Sequence, residues 1–287
     1  MDNNSISKIA EAIEFIETNL TDKLDLATVA AAVHYSKYHF HRVFTQTVGL
    51  TVHEYIQRRQ LTEAAKLLAF SKLPIIDIAA MAGYESQQAF TNIFTAMYKQ
   101  SPNRYREEER FYPLQLKFNL EGDYKTPDSK ELNLRNIVFA AQDDVSCWMD
   151  LVRLVIDGFP HLYEAEYLAE LKQRIQTKQA LILKDGNIAV GIMLFAYATS
   201  SIDFMGIHPL YRKLGIPQAL VTKVMQALLP SEQISITTYR AGDRADTGHR
   251  QAVKELGFAE AELLVEFGYP TQRFTLSKEC YREQGNS

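Results

Sequence analysis

AGYESQQAFTNIFTAMYKQSPNRYR, residues 82–106, decides how the first third of the chain folds. Phe90, Ile93, Phe94 and Met97 recur at the three- and four-residue spacing of a helix with one buried face. Gln87, Gln88, Thr91, Asn92 and Thr95 fall on the other face. Ser86 stands at an N-cap position. Gly83 stands where the preceding short helix, Ile75–Ala82, must end in a left-handed residue.

Working outward, most of this arrangement occurs twice. Ser36, Phe40, Val43, Phe44, Thr51 and Tyr55 recur as Ser86, Phe90, Ile93, Phe94, Ser101 and Tyr105. Leu26, Val29 and Ala30 recur as Ile75, Ile78 and Ala79, one residue out of step because Glu85 is extra. A repeat of about fifty residues means two copies of one helical unit. Ser36 is the matching cap of the first copy, and Lys37, Tyr38, His41 and Arg42 form its outer face. An amphipathic helix from Ser5 to Leu20 precedes the pair. A long helix from about Val52 to Phe70 joins the two copies, with Arg58, Arg59 and Lys66 expected to be exposed, and Pro74 ends it.

Each copy reads as a helix-turn-helix unit whose second helix offers polar or basic side chains. Gln and Asn can bond bidentately to adenine, and Arg to guanine, in the major groove. A small helical bundle with polar outer faces would explain either helix alone. The duplication favours the nucleic-acid reading, because both copies keep the same polar and apolar register. The whole chain carries a formal charge of −4, yet His34–Arg106 holds nine Lys or Arg against four acids. Phosphate attraction depends on local charge, so an acidic chain can still bind DNA through this segment.

On VAAAVHYSKYHFHRVF and IIDIAAMAGYESQQAFTNIFTAMYKQSPNRYR, residues Ile6 to Arg110 resemble the DNA-binding domain of the AraC/XylS family. The resemblance implies seven helices, two helix-turn-helix units joined by the long helix, and control of transcription on double-stranded promoter DNA. It places base reading at Tyr38, His41 and Arg42 in the first unit, beside Lys37, and at Gln87, Gln88, Thr91 and Asn92 in the second. Several relatives carry a basic residue where Asn92 stands, so their sequence preference does not transfer.

At 287 residues the chain is long enough for a second domain. Glu107–Leu134 has no period and many turn formers, and reads as a connector able to pack locally through Phe111, Tyr112, Leu114, Leu116 and Phe118. Beyond it the pattern is mixed. Strands are expected at 136–141, 180–184, 188–197, 201–207, 234–239, 263–267 and 273–276. Helices are expected at 146–157, 164–177, 216–229 and 250–256. Asp185-Gly186 is a strong hairpin turn. Tyr211–Ala219 is a basic, glycine-containing turn between a strand and a helix, suited to a phosphate or pyrophosphate at the helix N-terminus.

That order, with HPLYRKLGIPQALVTKVMQALL and the helix ending in KELGF, resembles the GNAT family of acetyl-CoA-dependent acyltransferases over Arg135–Ser277. The resemblance implies backbone contact of Met205 and Ile207 with the pantetheine arm. It implies a pyrophosphate loop at Arg212, Lys213, Leu214, Gly215 and Ile216. Two departures stand out. Pro217 replaces a Gly or Ala and removes one N–H donor. Val253 stands where many active members have a tyrosine as general acid for the thiolate, and valine cannot donate a proton. Tyr239, Glu266 and Tyr269 are the substitutes within the last strands. Phe159–Tyr167 would cover the acceptor, and Glu164 and Glu166 either attract an amine or simply start a helix.

The expected architecture is therefore an α+β two-domain chain. An all-α double helix-turn-helix domain (1–108) and a connector (109–133) precede an α/β, GNAT-like domain with a mixed sheet (134–278) and a tail (279–287). The second domain either senses acetyl-CoA or another acyl-CoA as an effector, or transfers an acetyl group to a small amine while the first domain regulates the chain's own expression. A structural scaffold is the third class. Cys147 and Cys280 form no metal or redox spacing, and no metal site is expected. MDNNSISKIAEAIEF lacks the features of a signal peptide and no apolar run spans a bilayer, so the expectation is a cytoplasmic protein without a membrane partner.

Overall fold

The computed structural model describes residues 3–120, 132–156, 164–229, 231–279 and 281. Two compact units emerge among the described residues, one built on 3–120 with 156 and the other on 132–155 and the described residues from 164 onwards. The first is helical and the second is α/β with a mixed sheet.

The first unit contains α1 (Asn3–Thr18), α2 (Leu26–Ala32), α3 (Lys37–Val48), α4 (Val52–Phe70), α5 (Ile75–Met81), α6 (Gln87–Tyr98) and α7 (Pro102–Glu108). Capping chemistry sets the starts. Thr51 and Glu54 cap α4 reciprocally, through Glu54 N–H to Thr51 Oγ1 (3.2 Å) and Thr51 N–H to Glu54 Oε2 (2.8 Å). Ser86 accepts from Ala89 N–H at 3.2 Å, and Ser101 accepts from Arg104 N–H at 3.3 Å. Ser36 occupies the N-cap of α3 but its side chain makes no capping bond. Asp25, which the repeat did not reveal, caps α2 through Thr28 N–H at 2.8 Å. Gly83 takes the left-handed conformation, φ 78°, and a Cβ there would lie 3.0 Å from Gln60 Nε2.

The apolar stripes are buried as expected: Ile9, Ile13 and Ile16 on α1, Phe40 and Phe44 on α3, and Phe90 and Phe94 on α6, with Ile93 half-buried. Two residues depart from expectation. Arg58 and Arg59 are buried, while Lys66 is exposed. Arg59 pairs with Glu17 and Glu63, and Arg58 donates to the Leu114 carbonyl at 3.1 Å. The reason is that residues 111–120 run as an extended strap along α4. Leu114 and Gln115 N–H donate to Thr62 Oγ1 at 3.0 and 3.1 Å, and Phe118 N–H donates to Tyr55 OH at 3.1 Å. The strap has no period of its own because α4 side chains satisfy its backbone. Residues 121–131 of the expected connector, and 280 and 282–287 of the expected tail, lie outside the described residues.

The second unit begins with a 3₁₀ turn at Leu134–Asn136 and β1 (Val138–Phe139), shorter than the expected 136–141 strand. Then come α8 (Val145–Val155), α9 (Glu164–Gln176), β2 (Ala180–Asp185), β3 (Ile188–Ala196), β4 (Ser201–Ile207), α10 (Ile216–Lys223), β5 (Gln233–Tyr239), α11 (His249–Glu255), β6 (Ala259–Glu266) and β7 (Tyr269–Ser277). The expected helix to Leu229 changes pitch, becoming a π turn from Val224 to Leu228. The seven strands lie in the order β1-β2-β3-β4-β5-β7-β6. Only β4 and β5 pair in parallel. The main core lies between β2–β5, β7 and the helices α10 and α11, with Leu181, Phe195, Ile216, Leu220 and Phe274 fully buried.

Candidate functional site

The first unit presents two helices with the same outward design. On α3, Lys37, Tyr38, His41 and Arg42 are all exposed, and Tyr38 retains 88% of its surface. A tyrosine that far into solvent contributes nothing to its own domain's core. Arg42 lies 3.4 Å from His39 Nδ1, and His39 packs edge-on to Tyr35. On α6, Gln87, Gln88 and Asn92 are exposed and Thr91 is half-buried. Gln88 Nε2 donates to Asn92 Oδ1 at 2.9 Å, so two amides one turn apart are held together. Both helices rest on rigid aromatic floors, Phe40–Phe44–Tyr55 under α3 and Phe90–Phe94–Tyr98 under α6. Burial of Arg58 and Arg59 removes two cations from the surface surplus, leaving Lys37, Arg42, Lys66 and Arg104 among the exposed ones.

The second unit has a split in its sheet. β4 and β5 are paired only at Ser201–Ser235 and Ile202–Ile236. The split has a local cause on β4: Ile202 pairs with Phe195 and Phe204 with Leu194, so Asp203 is an extra residue, a bulge. A bulge reverses which backbone groups face which neighbour. Beyond it His208 N–H donates to Val190 O on β3 at 3.0 Å. By alternation, Met205 and Ile207 direct their backbone groups away from β3, towards the side from which β5 has diverged.

At this end of β4 the chain enters a turn that starts α10. Gly215 adopts φ 72°, and the nearest atom to a Cβ there would be Leu134 Cδ1 at 3.8 Å, so the turn is open. Arg212 and Lys213 are exposed, Leu214 is half-buried, and the Ile216 side chain is in the core. Leu214 N–H bonds to Tyr211 O, and Ala219 N–H to Gly215 O. Those of Lys213, Gly215, Ile216 and Gln218 have no backbone partner among the described residues. Pro217 offers no N–H. The turn is braced from below: Tyr211 OH donates to Asp185 Oδ2 at 2.7 Å, and buried His208 accepts Leu210 N–H at 3.3 Å. Burial and then the charge of Arg212 lower the His208 pKa to about 4.

The three expected acid–base residues gather at the C-terminal end of β5 and the neighbouring β6–β7 turn, and all are engaged. Tyr269 OH donates to both oxygens of Asp243, at 3.1 and 3.0 Å. Tyr239 packs between Tyr269 and His249. Glu266 accepts from Thr271 Oγ1 at 2.8 Å and Thr237 Oγ1 at 3.4 Å. Val253 is a core residue. Asp243 escaped sequence reasoning; its signal was the turn-forming RAGDRAD that precedes α11. Of the segment expected to cover an acceptor, residues 159–163 lie outside the described residues; Glu164 is paired with Arg153.

A family model described as a helix-turn-helix domain matches residues 29–108. The chain is 42% identical over 106 residues to the HTH-type transcriptional activator AarP of Providencia stuartii, covering 37% of this chain and 78% of AarP. The chain belongs to the AraC family of helix-turn-helix transcriptional regulators. α2–α3 and α5–α6 are its two DNA-binding helix-turn-helix units. The right origin-binding protein of Escherichia coli K12 is 30% identical over 146 residues, and the chain spans half of that protein's length. The family match ends at Glu108, before the split sheet. A GNAT-family acetyltransferase structure from Bacillus cereus overlaps half of this chain at 17% identity and a TM-score of 0.39, too low to assign a fold. No helix among the described residues is long and apolar enough to cross a membrane.

Proposed function

We propose that the chain is a transcriptional regulator whose second domain binds acetyl-CoA or a related acyl-CoA as an effector. The observation that carries this is the divergence of β4 from β5 beyond Ile202 and Ile236, opening beside the Gly215 turn. The residues there suit an anionic, extended ligand. Arg212 and Lys213 would meet the pyrophosphate with charge, and the N–H groups of Lys213, Gly215 and Ile216 with hydrogen bonds. Met205 and Ile207 would lie along the pantetheine arm through their backbones. An acyl-CoA would bring an activated thioester to the end of β5. Base reading is assigned to Lys37, Tyr38, His41 and Arg42 on α3 and to Gln87, Gln88, Thr91 and Asn92 on α6.

Sensing is the better reading because the groups available for proton transfer are already committed: Tyr269 to Asp243 and Glu266 to two threonines. For sensing, the ligand must have unequal affinity for two states of the regulator. The second reading is N-acetyltransfer to a small amine, favoured by Tyr239 at the C-terminal end of β5, where the sheet is split. Calorimetry with acetyl-CoA and with CoA tests the site, and an absence of binding heat for both removes it. Binding without release of free thiol across a panel of amines decides for the sensor; thiol release decides for the enzyme.

A further inference from the structure

Helices α1, α2 and α3 pack on one another, α5 packs on α6 and α6 on α7, and both groups rest on α4. Along one face of α4 a groove of about 360 Å³ lies between the groups, with Leu20 and Thr21 on one wall and Ile78 and Met81 on the other. The strap at 111–120 fills a neighbouring face of α4, running antiparallel to it, and its two ends belong to different groups. At its start Phe111 packs on Phe70, with ring centroids 6.0 Å apart. Tyr112 then joins the aromatic floor of the second unit: its N–H donates to Tyr105 OH at 3.0 Å, and its ring lies 5.1 Å from that of Tyr98. Midway, Thr62 Oγ1 accepts both Leu114 N–H and Gln115 N–H. At the far end Lys117 pairs with Glu14 of α1, and Phe118 N–H donates to Tyr55 OH, whose ring packs edge-on to Phe44 of α3. The lengths match: from Tyr55 to Phe70 a helix rises about 22 Å, and from Phe111 to Phe118 an extended chain reaches about 23–25 Å. The strap therefore crosses both units nearly straight, with little slack.

We propose that Thr62 and Tyr55 are positioning residues for DNA recognition. By holding the strap they fix the offset and twist between α3 and α6, and so the base-pair spacing that the chain accepts between the two segments it reads. A single helix joining two units can curve along its length. A strap anchored at both ends and in the middle opposes that curvature. To let the units move it must release buried N–H groups from their acceptors, and each one left unpaired is costly. One extra base pair between the two DNA segments turns the second by about 34° and moves it about 3.4 Å. Two units held by the strap reject that change, whereas units joined by α4 alone follow it.

The test uses the full chain. The wild-type protein selects duplexes from a random-sequence library, and footprinting locates the two segments it covers. Affinity is then measured for a selected duplex and for the same duplex with one base pair inserted between the segments. A folding defect scales both affinities alike, so their ratio reports positioning and not stability. The ratio should be about a hundredfold for the wild type, the scale of one or two lost base contacts, and should fall to about tenfold in Thr62→Val and in Tyr55→Phe. Thr62→Ser keeps the hydroxyl and should keep the wild-type ratio. A wild-type ratio in both Thr62→Val and Tyr55→Phe overturns the proposal. So does a wild-type chain that binds the two duplexes equally, or a Thr62→Ser protein that behaves like Thr62→Val.

Discussion

Arg59 on α4 grips Glu17 on α1 with two parallel hydrogen bonds, Nε to Oε1 and Nη2 to Oε2, both at 2.8 Å. The side chains are only 7% and 12% exposed. Arg59 Nη1 continues to the Gln115 carbonyl at 3.0 Å, and Tyr55 OH donates to Glu17 at 2.9 Å. Burial alone would lower the guanidinium's pKa, but the hydrogen bonds and charge of Glu17 outweigh it and raise it, so the cation persists. Glu17→Gln leaves that buried cation short of its main partner. The expected loss is about 3 kcal/mol in urea unfolding of the first domain. A change below about 0.5 kcal/mol, the scale of an ordinary surface substitution, would show the pair to be dispensable.

This pair also marks where sequence reading stopped. The repeat exposed the helices of both units, because caps and apolar stripes are local signals that occur twice. It misplaced Arg58 and Arg59, since an arginine normally faces water. What buries them is the strap at 111–120, more than fifty residues on, with no periodicity to announce it. The same limit held in the second domain. The Gly215 turn was legible as a basic segment between a strand and a helix. The Asp203 bulge and the split it opens were not, because they are properties of pairing register with β3 and β5.

DNA affinity should respond differently to the two kinds of outward residue. Arg42→Ala and Gln88→Ala should each weaken binding to a specific promoter fragment by about ten- to a hundredfold, the scale of a lost bidentate base contact. They should also relax preference at one base pair. Lys66→Ala, on the exposed side of α4, removes charge without touching a recognition helix. Its effect should be small and uniform across sequences, with a shallower salt slope if it reaches phosphate. Competition binding against scrambled fragments separates these outcomes. An unchanged affinity for Arg42→Ala and Gln88→Ala would overturn the base-reading assignment.

Gly191 on β3 is fixed by Ile216 rather than by its own backbone. A Cβ at Gly191 would stand 2.5 Å from Ile216 Cγ2, closer than real contacts allow. Gly191→Ala is expected to destabilise the second domain by about 1–3 kcal/mol, the usual range for overpacking. Removing the clashing branch should recover part of this, so the double variant Gly191→Ala, Ile216→Ala should be non-additive. Additive losses in thermal unfolding would mean that the helix shifts to accommodate the methyl. That result would imply a softer turn at the proposed ligand site.

The pyrophosphate assignment predicts a charge-dominated loss. Arg212→Ala with Lys213→Ala removes two exposed cations from the turn. Affinity for acetyl-CoA and for CoA should fall together, by roughly ten- to a hundredfold at low salt, and less at high salt. Folding should be unaffected, which circular dichroism checks. A loss confined to acetyl-CoA would move the contact from the pyrophosphate to the acyl end.

His208 makes the brace beneath that turn sensitive to acid. It is 2% exposed, its Nδ1 accepts Leu210 N–H, and its ring packs edge-on to Tyr211. Burial, then Arg212, lowers its pKa to about 4 from an ordinary 6.5. Between those values the unfolded chain carries the proton and the folded chain does not, so stability falls as pH drops through that window and is unaffected above it. The full loss is about 3 kcal/mol from the size of the shift. His208→Asn keeps a short acceptor near Leu210 N–H but cannot titrate there. Carboxylates common to both proteins cancel in the difference. The gap between wild-type and variant unfolding free energies should therefore change by about 3 kcal/mol between roughly pH 7 and pH 4. Parallel stability curves would mean that His208 takes up its proton in the folded state, and that the turn holding Arg212 opens readily to water.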